Sequence, residues 1–214
     1  MPLRDTALLI VFAAFLTGPS LAHADAAGDF IIAVENDRVA QVRDFLAKGG
    51  DPNAVGTEGE PALVLAARNG YPATVDALIA AKAKVDARTP SGDTAIMAAA
   101  IAGHLEIVKK LRAAGAAIDG PGWTPLIYAA TGGRNDVIEY LLGQGAQINA
   151  VSPNGTSALM MAVREGKGPT VTLLIARGAD VNHRNENGAT ALAWAERGNE
   201  KAMAAELRKA GAKS

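Results

Sequence analysis

The residues able to do chemistry in this chain are few. It has three histidines, His23, His104 and His183, and no cysteine. Without a thiol there is no cysteine nucleophile, no disulfide, no iron–sulfur cluster and no cysteine-bearing zinc site. His183 reads as facing solvent or a partner rather than a metal. Asp51-Pro52-Asn53-Ala54-Val55-Gly56 begins like a calcium loop, but Val55 and Ala62 fall where oxygen ligands are needed. No His-Glu-x-x-His, glycine-rich phosphate loop or Gly-x-Ser-x-Gly occurs. Asn154-Gly155-Thr156 fits a glycosylation sequon, yet an Asn-Gly pair more simply marks a tight turn. The carboxylates are spread along the chain, with no apolar pocket to retune them. The expectation is therefore a non-enzyme with no catalytic residue, no cofactor and no metal site.

Composition agrees with that exclusion. The 214 residues carry 21 Lys+Arg against 22 Asp+Glu, a formal net charge of −1, which argues against nucleic-acid binding by bulk electrostatics. Hydrophobic residues make up 49% and aromatics only 4%, so the core must rely on small side chains and close backbone approach. The length suits one domain or one continuous array.

The first segment reads as an address. Arg4 supplies a short positive region, Ala7 to Leu16 form an apolar run of ten, and Ala22-His23-Ala24 offers small residues at both positions that signal peptidase inspects. Ten helical residues cover about 15 Å of a ~30 Å hydrocarbon core, too little for an anchor. Residues 1–24 are expected to be a signal peptide cleaved between Ala24 and Asp25, leaving 190 residues exported to a bacterial periplasm or secreted. No second long apolar run follows, so no membrane attachment is expected after cleavage.

From about residue 26 the chain repeats. Ala33, Ala66, Ala99, Ala129, Ala162 and Ala195 are separated by 33, 33, 30, 33 and 33 residues. An apolar residue stands three before each (Phe30, Leu63, Ile96, Leu126, Leu159, Leu192), and a glycine-like residue four after (Asp37, Gly70, Gly103, Gly133, Gly166, Asn199). Further on come Val42, Val75, Val108, Ile138, Val171 and Ala204, then Phe45, Leu78, Leu111, Leu141, Leu174 and Leu207. A second glycine row reads Gly49, Lys82, Gly115, Gly145, Gly178, Gly211. Self-similarity at one period signals a stacked repeat architecture. Thr94, Thr124, Ser157 and Thr190 suit helix N-caps, and Pro125 suits a first helical position. The first glycine row ends a short helix in the left-handed region, with Asp37 and Asn199 as tolerable substitutes. A second helix follows, with Pro72 and Pro169 in its first turn. Both helices are near or below ~12 residues, so neither is stable alone.

These repeats resemble ankyrin repeats, of an exported bacterial type. The resemblance rests on Gly122-Trp123-Thr124-Pro125-Leu126-Ile127-Tyr128-Ala129-Ala130 and Gly103-His104-Leu105-Glu106-Ile107-Val108. It rests also on endings such as Gly145-Ala146-Gln147-Ile148-Asn149 and Gly178-Ala179-Asp180-Val181-Asn182. It implies an all-α solenoid of about six helix–turn–helix pairs, with short β-hairpin fingers between them and a concave face. The approximate repeats are 26–55, 56–88, 89–119, 120–151, 152–184 and 185–214. Ankyrin repeats commonly carry histidine after the glycine that begins the inter-helix turn, so the resemblance implies a structural role for His104. The chain departs from the family pattern in places. The usual histidine of the helix start is replaced by Val64, Met97, Ile127, Met160 and Ala193; Lys82 stands where glycine should end a helix; and Pro61 stands where a capping Thr would be. The single 30-residue interval cuts the finger at Gly120-Pro121-Gly122 short and leaves a notch. Polar residues in the first and last units (Glu35, Asn36, Arg38; Glu196, Glu206, Arg208) suit terminal caps of a complete short solenoid.

The function the resemblance implies is recognition of another protein. The residue before each core alanine should face the concavity: Ile32, Leu65, Ala98, Tyr128, Met161 and Trp194. Fingers add Glu58, Arg88, Trp123 and Arg184, and inter-helix tips add Arg68 and Ile101. Trp123, Tyr128 and Trp194 are the candidate hot spots, because large rings bury much area with few torsions; the alternative is that these rings, Tyr128 and Trp194 above all, pack against adjacent first helices or close over the shortened finger. The expected protein is a monomeric exported module that binds an envelope or periplasmic partner. Protection, as an immunity protein or an accessory to an antioxidant enzyme, is one form of that function. The competing expectation is a structural spacer with no dedicated ligand.

Overall fold

The structure is a computed structural model that describes residues 21–213. The segment expected to carry the signal's Arg4 and its apolar run lies outside the described residues. Twelve helices follow as six antiparallel pairs: α1 (Leu21–Glu35) with α2 (Val39–Ala47), α3 (Ala62–Asn69) with α4 (Pro72–Ala80), and α5 (Ala95–Ala102) with α6 (Leu105–Ala113). The array continues with α7 (Pro125–Gly132) and α8 (Asn135–Gly143), α9 (Ala158–Arg164) and α10 (Gly168–Ala176), then α11 (Ala191–Arg197) and α12 (Lys201–Lys209). Odd-numbered helices pack on odd and even on even down the stack, an α-solenoid. Helix α1 begins before the expected cleavage point, so Ala24 and Asp25 lie within it.

The periodic rows are the core. Every residue of the first apolar row, the alanine row and the row beginning Val42 is at most 4% exposed. The row from Leu78 to Leu207 is fully buried, and only its first member, Phe45, is half-open, stacked on Phe30 with ring centroids 4.2 Å apart. Alanine at the heart of each first helix lets neighbouring helices approach closely. At the tightest point, a Cβ added to Gly132 of α7 would lie 2.3 Å from the Ile101 carbonyl oxygen of α5.

Local signals act largely as their types dictate. Thr124, Ser157 and Thr190 each accept a bond from the backbone N–H three residues on. Thr94 has the same extended backbone, but its buried Oγ1 has no partner. Pro61 cannot cap; the amide of Ala62 instead donates to the Ala54 carbonyl at 3.0 Å. Gly70, Gly103 and Gly133 close their helices in the left-handed region, and Asp37 and Asn199 adopt it too, at φ 51° and 58°. Lys82 holds φ 66° in the second glycine row.

The fingers differ from the expected β-hairpins. Among the described residues there is no strand, only two isolated antiparallel bridges, Val55–Pro61 and Val151–Ser157. The reason is brevity. In each full-length finger one amide donates four residues onward and the glycine amide donates back, as in Thr89 N to Asp93 O (2.9 Å) and Gly92 N to Thr89 O (2.8 Å). This tight turn uses the groups that a ladder would need.

A non-glycine residue in the left-handed region costs about 1–2 kcal/mol, offset in part when glycine loosens the unfolded chain. Lys82→Gly is therefore expected to stabilise the array by about 0.5–1 kcal/mol, seen in thermal unfolding as a midpoint raised by roughly 1–4 °C.

Candidate protein-binding face

First helices and fingers together form one face, and polar ties between repeats hold it in register. At each finger root an Asn or Asp accepts a bond from an amide of the following repeat. Lys84 N donates to Asn53 (2.7 Å), Ala117 N to Asp86 (3.0 Å) and Gln147 N to Asp119 (3.0 Å). Asp180 N donates to Asn149 and Lys213 N to Asn182, both at 2.9 Å. A second row of ties sits at the inter-helix turns. His104 donates from Nε2 to the Arg68 carbonyl (3.1 Å), Arg134 from Nε to the Ile101 carbonyl (3.0 Å), and Tyr71 from its hydroxyl to the Glu35 carbonyl (3.4 Å). Each satisfies a carbonyl left open at the end of the preceding repeat's first helix. His104 is thus structural, as the resemblance implied. On the outer face, Lys110 reaches Asp76 and Arg177 reaches Glu139, each at 2.8 Å. The Lys110 ammonium has its pKa raised, first by that hydrogen bond to Asp76.

The pre-alanine row is not displayed evenly. Ile32 is 47% exposed, Tyr128 and Trp194 are half-buried, and Leu65, Ala98 and Met161 are buried. Met161, at 2% exposure, packs in the core and offers a partner no surface, because neighbouring helices cover this position. His183 also departs from expectation: half-buried, its Nε2 donates to the Gly155 carbonyl at 2.7 Å and ties the last finger to the one before. Arg88 and Arg184 brace their own fingers, donating to the Gly92 (2.6 Å) and Gly188 (2.9 Å) carbonyls, while their side chains stay exposed. Arg68 is paired with Glu60. Glu58 is exposed at the first finger's tip with no ion pair among the described residues, and Ile101 is half-buried at the end of α5.

At the shortened finger, Trp123 and Tyr128 pack edge to face with ring centroids 5.7 Å apart. The Tyr128 hydroxyl crosses the notch to donate to Asp93 of the preceding finger, whose other carboxylate oxygen accepts from Ser91 at 2.8 Å. Burial, then that bond to Asp93, push the Tyr128 phenol well above its ordinary pKa.

Two clefts open between fingers and first helices, at equivalent places four repeats apart. The N-terminal one, about 400 Å³, is walled by Leu65 and lined by Glu35, Glu58, Glu60 and Arg68. The C-terminal one, about 660 Å³, is walled by Trp194 and Val163 and lined by Arg164, Asn185, Asn187, Arg197 and Glu200. The geometry is shared, but Glu35 corresponds to Arg164 and Glu58 to Asn187. Among the described residues no three His, Asp or Glu side chains converge as a metal site would require, and no helix is long and apolar enough to cross a membrane.

A family model of ankyrin repeats, three copies in tandem, matches residues 30–120, 63–152, 117–185 and 145–213. The chain belongs to the ankyrin-repeat family. No curated protein matches it. Ankyrin repeats typically bind other proteins and are not enzymes, so this ankyrin-repeat chain is a protein-interaction module. Sequence reasoning missed the finger-root carboxylates and amides as inter-repeat ties. Their signal was present, since Asn53, Asp86, Asp119, Asn149 and Asn182 recur in register with one chemistry.

The Tyr128 phenol bears on stability at alkaline pH. Its folded pKa lies above the ordinary value of 10.0, so the stability it contributes is present below that value and lost as pH rises beyond it. Tyr128→Phe is expected to flatten the alkaline fall in stability, measured by denaturant unfolding across pH 9–11 (roughly bracketing a free phenol).

Proposed function

We propose that this ankyrin-repeat protein is an exported module that acts as a monomer and binds one partner protein in the bacterial envelope or periplasm through its finger face. Protection, as an immunity protein or as an accessory to an antioxidant enzyme, is one form of that function. The observation that carries partner binding is the contrast between a uniform core and a varied face. The buried rows repeat almost unchanged, whereas equivalent face positions run from Ile32 through Tyr128 to Trp194 and from Glu35 to Arg164. A spacer needs no such variation. Export is supported by the Arg4, Ala7–Leu16 and Ala22–Ala24 pattern.

Two measurements test this. N-terminal sequencing of the protein from an osmotic-shock fraction should begin at Asp25, and an intact chain confined to the cytosol overturns export. Cross-linked capture from the same fraction should yield a partner whose recovery falls about tenfold with Glu58→Lys/Ile101→Arg and is unchanged with Lys109→Glu on the outer helices. Equal recovery by all three overturns the face assignment.

A further inference from the structure

We infer that the C-terminal cleft, between the last finger and helices α9 and α11, receives an acidic segment of the partner protein. A carboxylate sits between Arg164 and Arg197, and an adjoining apolar side chain lies against Trp194. This rests on the protein-binding reading above and specifies where and by what chemistry the partner is held.

The cleft is rich in hydrogen-bond donors that the protein itself leaves unused. Asn185, only 8% exposed, lines it. Its Oδ1 accepts from the amides of Asn187 (3.1 Å) and Ala189 (2.9 Å), which fixes the orientation of the side-chain amide. The Nδ2 group is then left with two hydrogens and no partner among the described residues. That nitrogen is not sealed from solvent, so its hydrogens are open to an acceptor that enters the cleft. Arg164 spends only Nε, on Glu165 at 3.0 Å, so its outer guanidinium nitrogens are free. Arg197 forms no ion pair among the described residues. Against these donors stand two carboxylates, Glu165, held on Arg164 Nε, and Glu200, which is exposed and lines the cleft.

Two guanidiniums beside an indole match a carboxylate next to an apolar group, because the planar fork pairs with both oxygens while the ring takes the hydrophobic neighbour. The equivalent N-terminal cleft repels the same ligand. It presents Glu35, Glu58 and Glu60, and its one guanidinium, Arg68, is already engaged by Glu60. One geometry with opposite chemistry therefore decides which end takes the acidic part of the partner, and so the direction in which the partner lies along the groove.

The test pans the full chain against a displayed library of random dodecapeptides. Fluorescein-labelled copies of the enriched peptides are then titrated into wild type, Arg164→Gln/Arg197→Gln and Lys109→Glu, each verified as folded by circular dichroism. The expected consensus places Asp or Glu within two positions of an aliphatic or aromatic residue. Its affinity should fall at least about tenfold in the arginine variant and stay within about twofold in Lys109→Glu, which lies on the outer helices away from the cleft. A consensus lacking acidic residues, or an acidic one indifferent to the arginine pair, overturns the inference while leaving the protein-binding reading intact. Failure to enrich any peptide overturns it as well, whereas the protein-binding reading is judged separately by the captured partner's response to Glu58→Lys/Ile101→Arg.

Discussion

A helix of seven to nine residues does not persist in water, because the cost of nucleating it exceeds what its few hydrogen bonds return. Every described helix of this chain except α1 is that short. Each exists because a neighbour covers its apolar side, and that one condition shapes the rest of the molecule. It requires a strict period, since an apolar residue out of step would meet solvent instead of the next repeat. It also favours alanine at the centre of each first helix, where larger side chains would hold the helices apart.

Apolar stacking alone would leave neighbouring repeats able to slide or rotate against each other, because the hydrophobic effect has no direction. The directional part comes from the finger-root Asn and Asp side chains and the donors at the inter-helix turns, which reach into the adjacent repeat at five roots and three turns. These bonds set the rotation of each repeat and therefore the spacing of fingers along the face. Glycine at the turn serves the same ties twice. A Cβ at Gly70 would meet the His104 ring at 2.6 Å, so the left-handed backbone and the room for the neighbour's side chain are needed together.

With register held by the core and the ties, the remaining face positions are free to differ, and their differences have consequences. The shortened finger brings Trp123 and Tyr128 together beside a notch and lets the phenol reach Asp93 across it. At the two ends, equivalent clefts carry opposed chemistry. A groove acidic at one end, aromatic at its centre and rich in donors at the other gives an extended partner a preferred direction. Both arginines that brace fingers, Arg88 and Arg184, show that a charged residue on such a face can serve the finger and still be exposed to a partner.

The amino-acid sequence alone determined the repeat period, the helix pairs, the caps at Thr124, Ser157 and Thr190, and the left-handed turns, including Asp37, Asn199 and Lys82 where glycine is missing. These are readable because they depend on residue type and spacing within a single repeat. Exposure along the pre-alanine row was not readable: Met161 and Ile32 occupy equivalent positions, yet one is buried and the other open. Nor were the His183 bond to Gly155, the Tyr128 bond to Asp93, or the reduction of the expected hairpins to two isolated bridges. Only the tertiary structure decided these, because each depends on how far one repeat is turned and spaced against the next, a distance that no single repeat's residues encode.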